Sequence, residues 1–243
     1  MFGVIGGTGL GNIKELVIDR HEDINTPYGR PSEALTIGKI GNKEIVFLAR
    51  HGTNHSIPPH LINYQANISA FSLLGVTDII SIASVGSINP EDAPGTLVFP
   101  DQIIDYTYGR KHTFFDGDKN PVSHIDFTYP YDEKLRKKFI KIASASNFLF
   151  KKNGVYGAVQ GPRLETAAEI NRYDSDGVTI VGMTGMPEAA LARELNMNYA
   201  MICLVANHAA GRGLSANGIT HDEISKNSKK MMKNVIEIIK EIS

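Results

Sequence analysis

The sequence has no tryptophan, one cysteine and no excess of charge of either sign. Across 243 residues, 25 Lys and Arg stand against 26 Asp and Glu, a formal net charge of -1. That balance gives no broad electrostatic footprint for nucleic acid or for a membrane surface. The lone Cys203 excludes an internal disulfide and fits a reducing compartment. It lies inside an apolar run, so it reads as a small buried hydrophobe rather than a nucleophile. No apolar run reaches the length of a membrane span. "MFGVIGG" at the start lacks a basic segment followed by an apolar core, so a cytoplasmic location is expected. No internal repeat, linker or low-complexity stretch divides the chain, which reads as one domain over 1–243. Its length is ample for a sizeable core.

What is present is an alternation of strand and helix patterns. "FGVIGG" (2–7) is a short apolar strand ending in glycines. "ALTIGKIGNKEIVFLARHG" (34–52) predicts a hairpin about Gly41-Asn42. "LINYQANISAFSLLG" (61–75) has apolar residues at helical spacing and stops at Gly75. Strands are expected in "TDIISIASVGS", "GTLVFPDQIIDYT", "GVYGAVQ", "GVTIVGM" and "NYAMICLVANHA". Helices are expected in "DEKLRKKFIKIASASN", "ETAAEINRY" and "PEAALAREL". Pro187 suits a first helical turn, and Thr220 suits the N-cap of a closing helix over 220–242. The alternation implies an α/β fold with a mixed, largely parallel sheet flanked by helices. Ligands of such sheets bind beyond the carboxyl ends of the strands. Several strands here end in polar or glycine-rich text: "GGTG", "ARHG", "ASVGS", "QGPRLET", "GMTGMPE" and "ANHA".

Each ending has a chemistry and a plainer reading. "IGGTGLGN" fails the dinucleotide fingerprint because Asn12 stands where the third glycine belongs. A P-loop fails too, since Ile40 follows Gly38-Lys39. A glycine turn with Thr8 can still cradle an anion, although a tight turn alone explains it. "ARHGTNH" offers the planar fork of Arg50 beside His51 and His55, which suits phosphate. The two histidines are four apart, but Gly52 occupies the place of a zinc-protease glutamate, so no metal is expected. Arg163 and Glu165 of "QGPRLET" could be a surface ion pair. Met183 and Thr184 precede a helix N-terminus, where the dipole favours an anion, and Glu188 reads as a dipole partner in that first turn. Asn207 interrupts an apolar strand with two donors and an acceptor to satisfy.

"IGGTGL", "LARHG", "NYQANI", "QGPRLET", "GMTGMPEAALARE" and "HIDFTYPYD" together resemble the trimeric purine nucleoside phosphorylase and methylthioadenosine phosphorylase family. The likeness runs from the first strand to about Gly211. It looks most similar to the bacterial S-methyl-5′-thioinosine phosphorylase branch. The resemblance implies a single-domain nucleoside phosphorylase fold, a homotrimer with shared active sites, and phosphorolysis of a nucleoside with inorganic phosphate as co-substrate. It implies neither metal nor organic cofactor, and neither nucleic acid nor membrane as partner. By the same resemblance, phosphate lies among Thr8, Arg50, His51, the Ser84 backbone and Thr184. Met183 packs on the ribose, His55 lines the 5′ side, and Leu164 stands over the base. His124 comes from a neighbouring subunit, and Ala209 replaces an acid near the base.

Two residues bear on which purine is bound. Asn207 stands where adenine-selective members carry an aspartate; its amide can donate to a 6-oxo oxygen and accept from a protonated N7. Glu165 corresponds to the glutamate that accepts from N1–H in 6-oxopurine-specific members. The expected substrate is therefore a 6-oxopurine nucleoside, first S-methyl-5′-thioinosine, next inosine or guanosine, then methylthioadenosine. A purine-binding protein without catalysis is the alternative outside the enzyme class.

Overall fold

The computed structural model describes residues 1–7, 15–52, 54–118 and 120–242. Strands β1 (Phe2–Gly6), β2 (Leu16–Glu22), β3 (Leu35–Ile40) and β4 (Lys43–Ala49) come first, followed by α1 (Tyr64–Leu73). Then come β5 (Asp78–Ser87), β6 (Leu97–Val98), β7 (Gln102–Asp105) and α2 (Glu133–Ala145). The second half holds β8 (Phe150–Lys151), β9 (Val155–Ala158), α3 (Ala167–Ser175), β10 (Ile180–Gly182), α4 (Gly185–Glu194), β11 (Asn198–His208) and α5 (His221–Glu241). The Gly41-Asn42 hairpin forms as the alternation dictates, with Ile40 opposite Lys43 and Gly41 at φ +59°. Strand β2, not foreseen from the sequence, pairs antiparallel with β3 and carries exposed side chains along most of its length. An edge strand of that kind has no buried face to impose an apolar alternation.

The sheet is mixed. Strands β4, β1 and β5 run parallel, as do β10, β9 and β7, while β10 meets β5 antiparallel. Strand β5 is the seam: β1 and β10 share one of its edges, and β11 follows the other in parallel. Along β11 the register shifts between Val205 and Asn207, so Ala206 is a β-bulge and Asn207 sits opposite Gly86. Such a bulge re-aims the side chains that follow it. The bulged Ala206 carbonyl accepts a hydrogen bond from Asn227 Nδ2 of α5 at 2.7 Å.

Both faces of the sheet are covered. Helices α1 and α4 bury Ile68, Phe71 and Leu191 on one face. On the other, α2 and α5 bury Phe139, Val235, Ile238 and Ile239 against Ile80, Ile202 and Leu204. The apolar stripe of α5 falls at helical spacing, and Thr220 caps it by accepting from the Glu223 amide. Each fully buried aliphatic side chain stabilises by about 1.5–3 kcal/mol. Ile239→Ala is expected to cost about 2–5 kcal/mol because it also leaves a cavity. Pro187 opens the regular part of α4, since Met186 before it is extended at φ -120° and ψ 140°.

Candidate active site

The carboxyl ends of the strands converge on one cavity of about 510 Å³. Gly7 reaches it from β1, Arg50 and His51 from β4, and Ser84 and Gly86 from β5. Leu164 and Glu165 follow β9, Met183 and Thr184 follow β10, and Asn207 stands near the end of β11. His55 also lines it, together with the Ile57-Pro58-Pro59 turn. The glycine-rich and polar strand endings singled out in the sequence thus meet in one place. Thr8 lies outside the described residues.

Arg50 is almost wholly buried, and its guanidinium is claimed by a carboxylate distant in sequence. Glu188 takes both Nε, at 2.8 Å, and Nη2, at 2.9 Å. Ser81 Oγ and the Ile82 carbonyl accept from Nη2 and Nη1. Glu188 also accepts from the hydroxyls of Ser81 and Tyr199, so it is a buried counter-charge rather than a surface dipole partner. Its separation of 138 residues from Arg50 hid the pair from sequence reasoning. Burial alone would lower the Arg50 pKa, but the Glu188 carboxylate outweighs it and raises the value.

His51 donates Nδ1–H to the Ile57 carbonyl at 2.8 Å, which leaves Nε2 as an acceptor in the neutral ring. Burial, and then the Arg50 charge, lower its pKa to about 4. Burial and Arg50 also lower that of His55, whose ring lies 4.3 Å from that of His51. Both rings are therefore neutral near pH 7. Among the described residues no three His, Cys, Asp or Glu side chains come together as metal ligands. Thr184 is the N-cap of α4 but makes no side-chain capping bond there.

On the opposite side, Glu165 is half-buried, and its partial burial raises its pKa. The expected Arg163–Glu165 pair does not form: Arg163 grips Glu169 with two hydrogen bonds of 2.7 and 2.8 Å. Glu165 is thereby left facing the cavity. Asn207 donates one Nδ2–H to the His208 carbonyl at 2.6 Å. The Ser84 hydroxyl lies 2.7 Å from that of Ser228 on α5.

Two expected residues lie elsewhere. Ala209 is buried against Ile88 and Val181, behind Gly86, and does not line the cavity. His124 is exposed on the long segment between β7 and α2, away from the cavity of its own chain. Conversely, His221 and Ile224 in the first turn of α5 form part of the wall. Their place directly after the Thr220 cap was the available signal. Cys203 is fully buried, and burial raises its thiol pKa, so it is packing and not a nucleophile.

The fold and site define a class. A family model described as the Phosphorylase superfamily matches residues 1–243, and the chain belongs to that family. A probable S-methyl-5′-thioinosine phosphorylase of Pseudomonas syringae pv. tomato is 48% identical over 226 residues, covering 93% of this chain and 91% of that protein. A 6-oxopurine nucleoside phosphorylase of Pyrococcus furiosus is 45% identical over 241 residues, covering 97% and 89%. Among solved structures, methylthioadenosine phosphorylase from Schistosoma mansoni in complex with adenine superposes with a TM-score of 0.93 at 30% identity, covering 99% of this chain and 90% of that one.

Proposed function

We propose that this protein cleaves the N-glycosidic bond of a 6-oxopurine nucleoside with inorganic phosphate, S-methyl-5′-thioinosine foremost. The products are hypoxanthine and 5-methylthioribose 1-phosphate. The observation that carries this reading is the pair facing the cavity from opposite strand ends. Asn207 spends one N–H on His208, which leaves one N–H and Oδ1. That remainder matches the O6 acceptor and protonated N7 of a departing 6-oxopurine. Glu165, free of Arg163, can accept from N1–H, whereas adenine N1 would set a lone pair against the carboxylate. A mismatch of that kind costs roughly 1–3 kcal/mol, ten- to hundredfold in discrimination.

Phosphate is held near Arg50, His51, Thr184, the Ser84 backbone and Thr8. A phosphate oxygen forms the new bond to C1′ as the C1′–N9 bond breaks, and its electron pair passes into the purine. N7 takes a proton from solvent, and Asn207 Oδ1 accepts from the resulting N7–H. Catalysis then rests on positioning and on the charge complement of the phosphate to an oxocarbenium-like sugar. Met183 packs beneath the sugar, with His55 on its 5′ side and Leu164 against the base. No metal or organic cofactor is required, and the enzyme works in the cytoplasm as a homotrimer whose neighbour lends His124.

Inosine or guanosine is the second reading, favoured by His221. Its imidazole stands beside Ile224 at the cavity wall, where it can meet a 5′-hydroxyl as Ile224 can meet a methylthio group. The test is a panel of methylthioinosine, inosine, guanosine, methylthioadenosine and adenosine, assayed with and without phosphate. Phosphate-independent release, or equal use of 6-amino nucleosides, would overturn the reading.

A further inference from the structure

Arg110 stands outside the cavity lining, yet it touches both halves of the site. It follows β7 and is 8% exposed. Nη1 donates to the carbonyls of Met183, at 2.8 Å, and Met186, at 2.6 Å. Nη2 donates to those of Gln160, at 2.9 Å, and Val159, at 3.3 Å. The Tyr64 hydroxyl accepts from Nη1 at 3.2 Å, and the guanidinium carbon lies 5.4 Å from the centre of that ring. Nε is buried without a partner, and no ion pair to Arg110 is formed among the described residues.

A buried arginine normally answers a carboxylate, because removing its charge from water is costly. Here it answers four backbone carbonyls from two separate segments. One segment, 159–165, leads from β9 to Leu164 and Glu165. The other, 183–186, carries Met183 and Thr184 into α4. A planar fork with five fixed donors can join two such segments at a set spacing; a lysine ammonium, with three donors at one point, cannot.

We propose that Arg110 is a positioning residue that yokes the base-binding segment 159–165 to the sugar- and phosphate-binding segment 183–186, so that occupancy of one organises the other. This rests on the proposed phosphorolysis. Arg110→Lys keeps the charge and loses the fork. It raises KM for nucleoside and for phosphate together, about tenfold each, and lowers the methylthioinosine-to-methylthioadenosine ratio of kcat/KM as Glu165 loses its placement. Arg110→Gln does the same. A merely structural Arg110 would lower Tm and the active fraction but leave both KM values and the ratio at wild type, and that result overturns the proposal.

A measurement on the wild-type protein does not depend on the variants folding. Inorganic phosphate alone slows amide hydrogen exchange in 183–186 and, through Arg110, also in 159–165. Protection confined to 183–186 overturns the yoke while leaving the phosphorolysis reading intact. No protection in either segment overturns that reading itself.

Discussion

Arg50 and Glu188 form a two-pronged ion pair, Nε to Oε2 at 2.8 Å and Nη2 to Oε1 at 2.9 Å, with both side chains shut off from solvent. The pair builds the cation into the wall of the cavity and fixes its plane.

It follows that Arg50→Ala strands a buried carboxylate. The expected loss is about 3–5 kcal/mol of stability, measured by urea denaturation. Arg50→Ala/Glu188→Ala should lose less than the sum of the two single variants, because they share one interaction. In whatever folded fraction remains, KM for phosphate should rise by tens to over a hundredfold, from a charged contact worth about 1.5–3 kcal/mol. Unchanged phosphate KM at normal turnover would remove Arg50 from the phosphate site.

Asn207→Asp replaces an amide donor with an acceptor and sets a carboxylate against the His208 carbonyl, so absolute activity should fall for every substrate. The ratio of methylthioinosine to methylthioadenosine turnover should fall as well. Adding Glu165→Ser should shift that ratio further, and beyond the product of the single effects, since both groups meet one base. The assay is kcat/KM for both nucleosides across wild type, the singles and the double. A constant ratio sinks the specificity assignment.

His51 gives a pH dependence of definite sign. Its folded pKa, about 4, lies below its ordinary value near 6.5, so between these values the folded state binds fewer protons than the unfolded one. The stability contributed by neutral His51 is present above pH 6.5 and is lost as pH falls toward 4. The loss summed over that window is about 3 kcal/mol at most, at about 1.4 kcal/mol per pH unit. Thermal unfolding in phosphate-free buffer should show this decline, and His51→Gln should flatten it. With Nδ1–H committed to Ile57, neutral Nε2 can accept from the P–OH of a phosphate dianion. Phosphate should therefore bind without net proton uptake at about pH 8, read by calorimetry in buffers of different ionisation enthalpy. Net uptake of a proton would show that His51 must charge to hold the anion.

The shared-site proposal concerns His124, exposed on the segment between β7 and α2. His124→Ala should raise KM for nucleoside several-fold while sedimentation still reports a trimer. A fully active monomer refutes it.

The strand endings were legible because glycine, proline and polar residues after an apolar run announce a turn at a sheet edge. Those endings, together with the family resemblance of their motifs, pointed to Arg50, His51, Glu165, Met183, Thr184 and Asn207 as one site, and all six line the cavity. Partners joined across many residues were not legible. Glu188 looked like an ordinary first-turn acid, and Arg163 lay closer in sequence to Glu165 than to the Glu169 it binds. Arg110 left no signature, because its partners are backbone carbonyls, which every residue has. Ala209 follows Asn207 by two residues, but the bulge and the turn of the chain put it behind Gly86.

Strand β11 enters the sheet late in the chain, and the helix that follows it supplies His221 and Ile224 to the wall. On a ribosome, the first two hundred residues can lay down β1, β4, β5 and their turns with the pocket still open along its length. Nucleoside and phosphate can find their site only once β11 has slotted against β5 and α5 has closed over the far face. Until then one edge of β5 lacks its hydrogen-bonding partner, the kind of unpaired strand edge that leaves a partly folded chain open to aggregation.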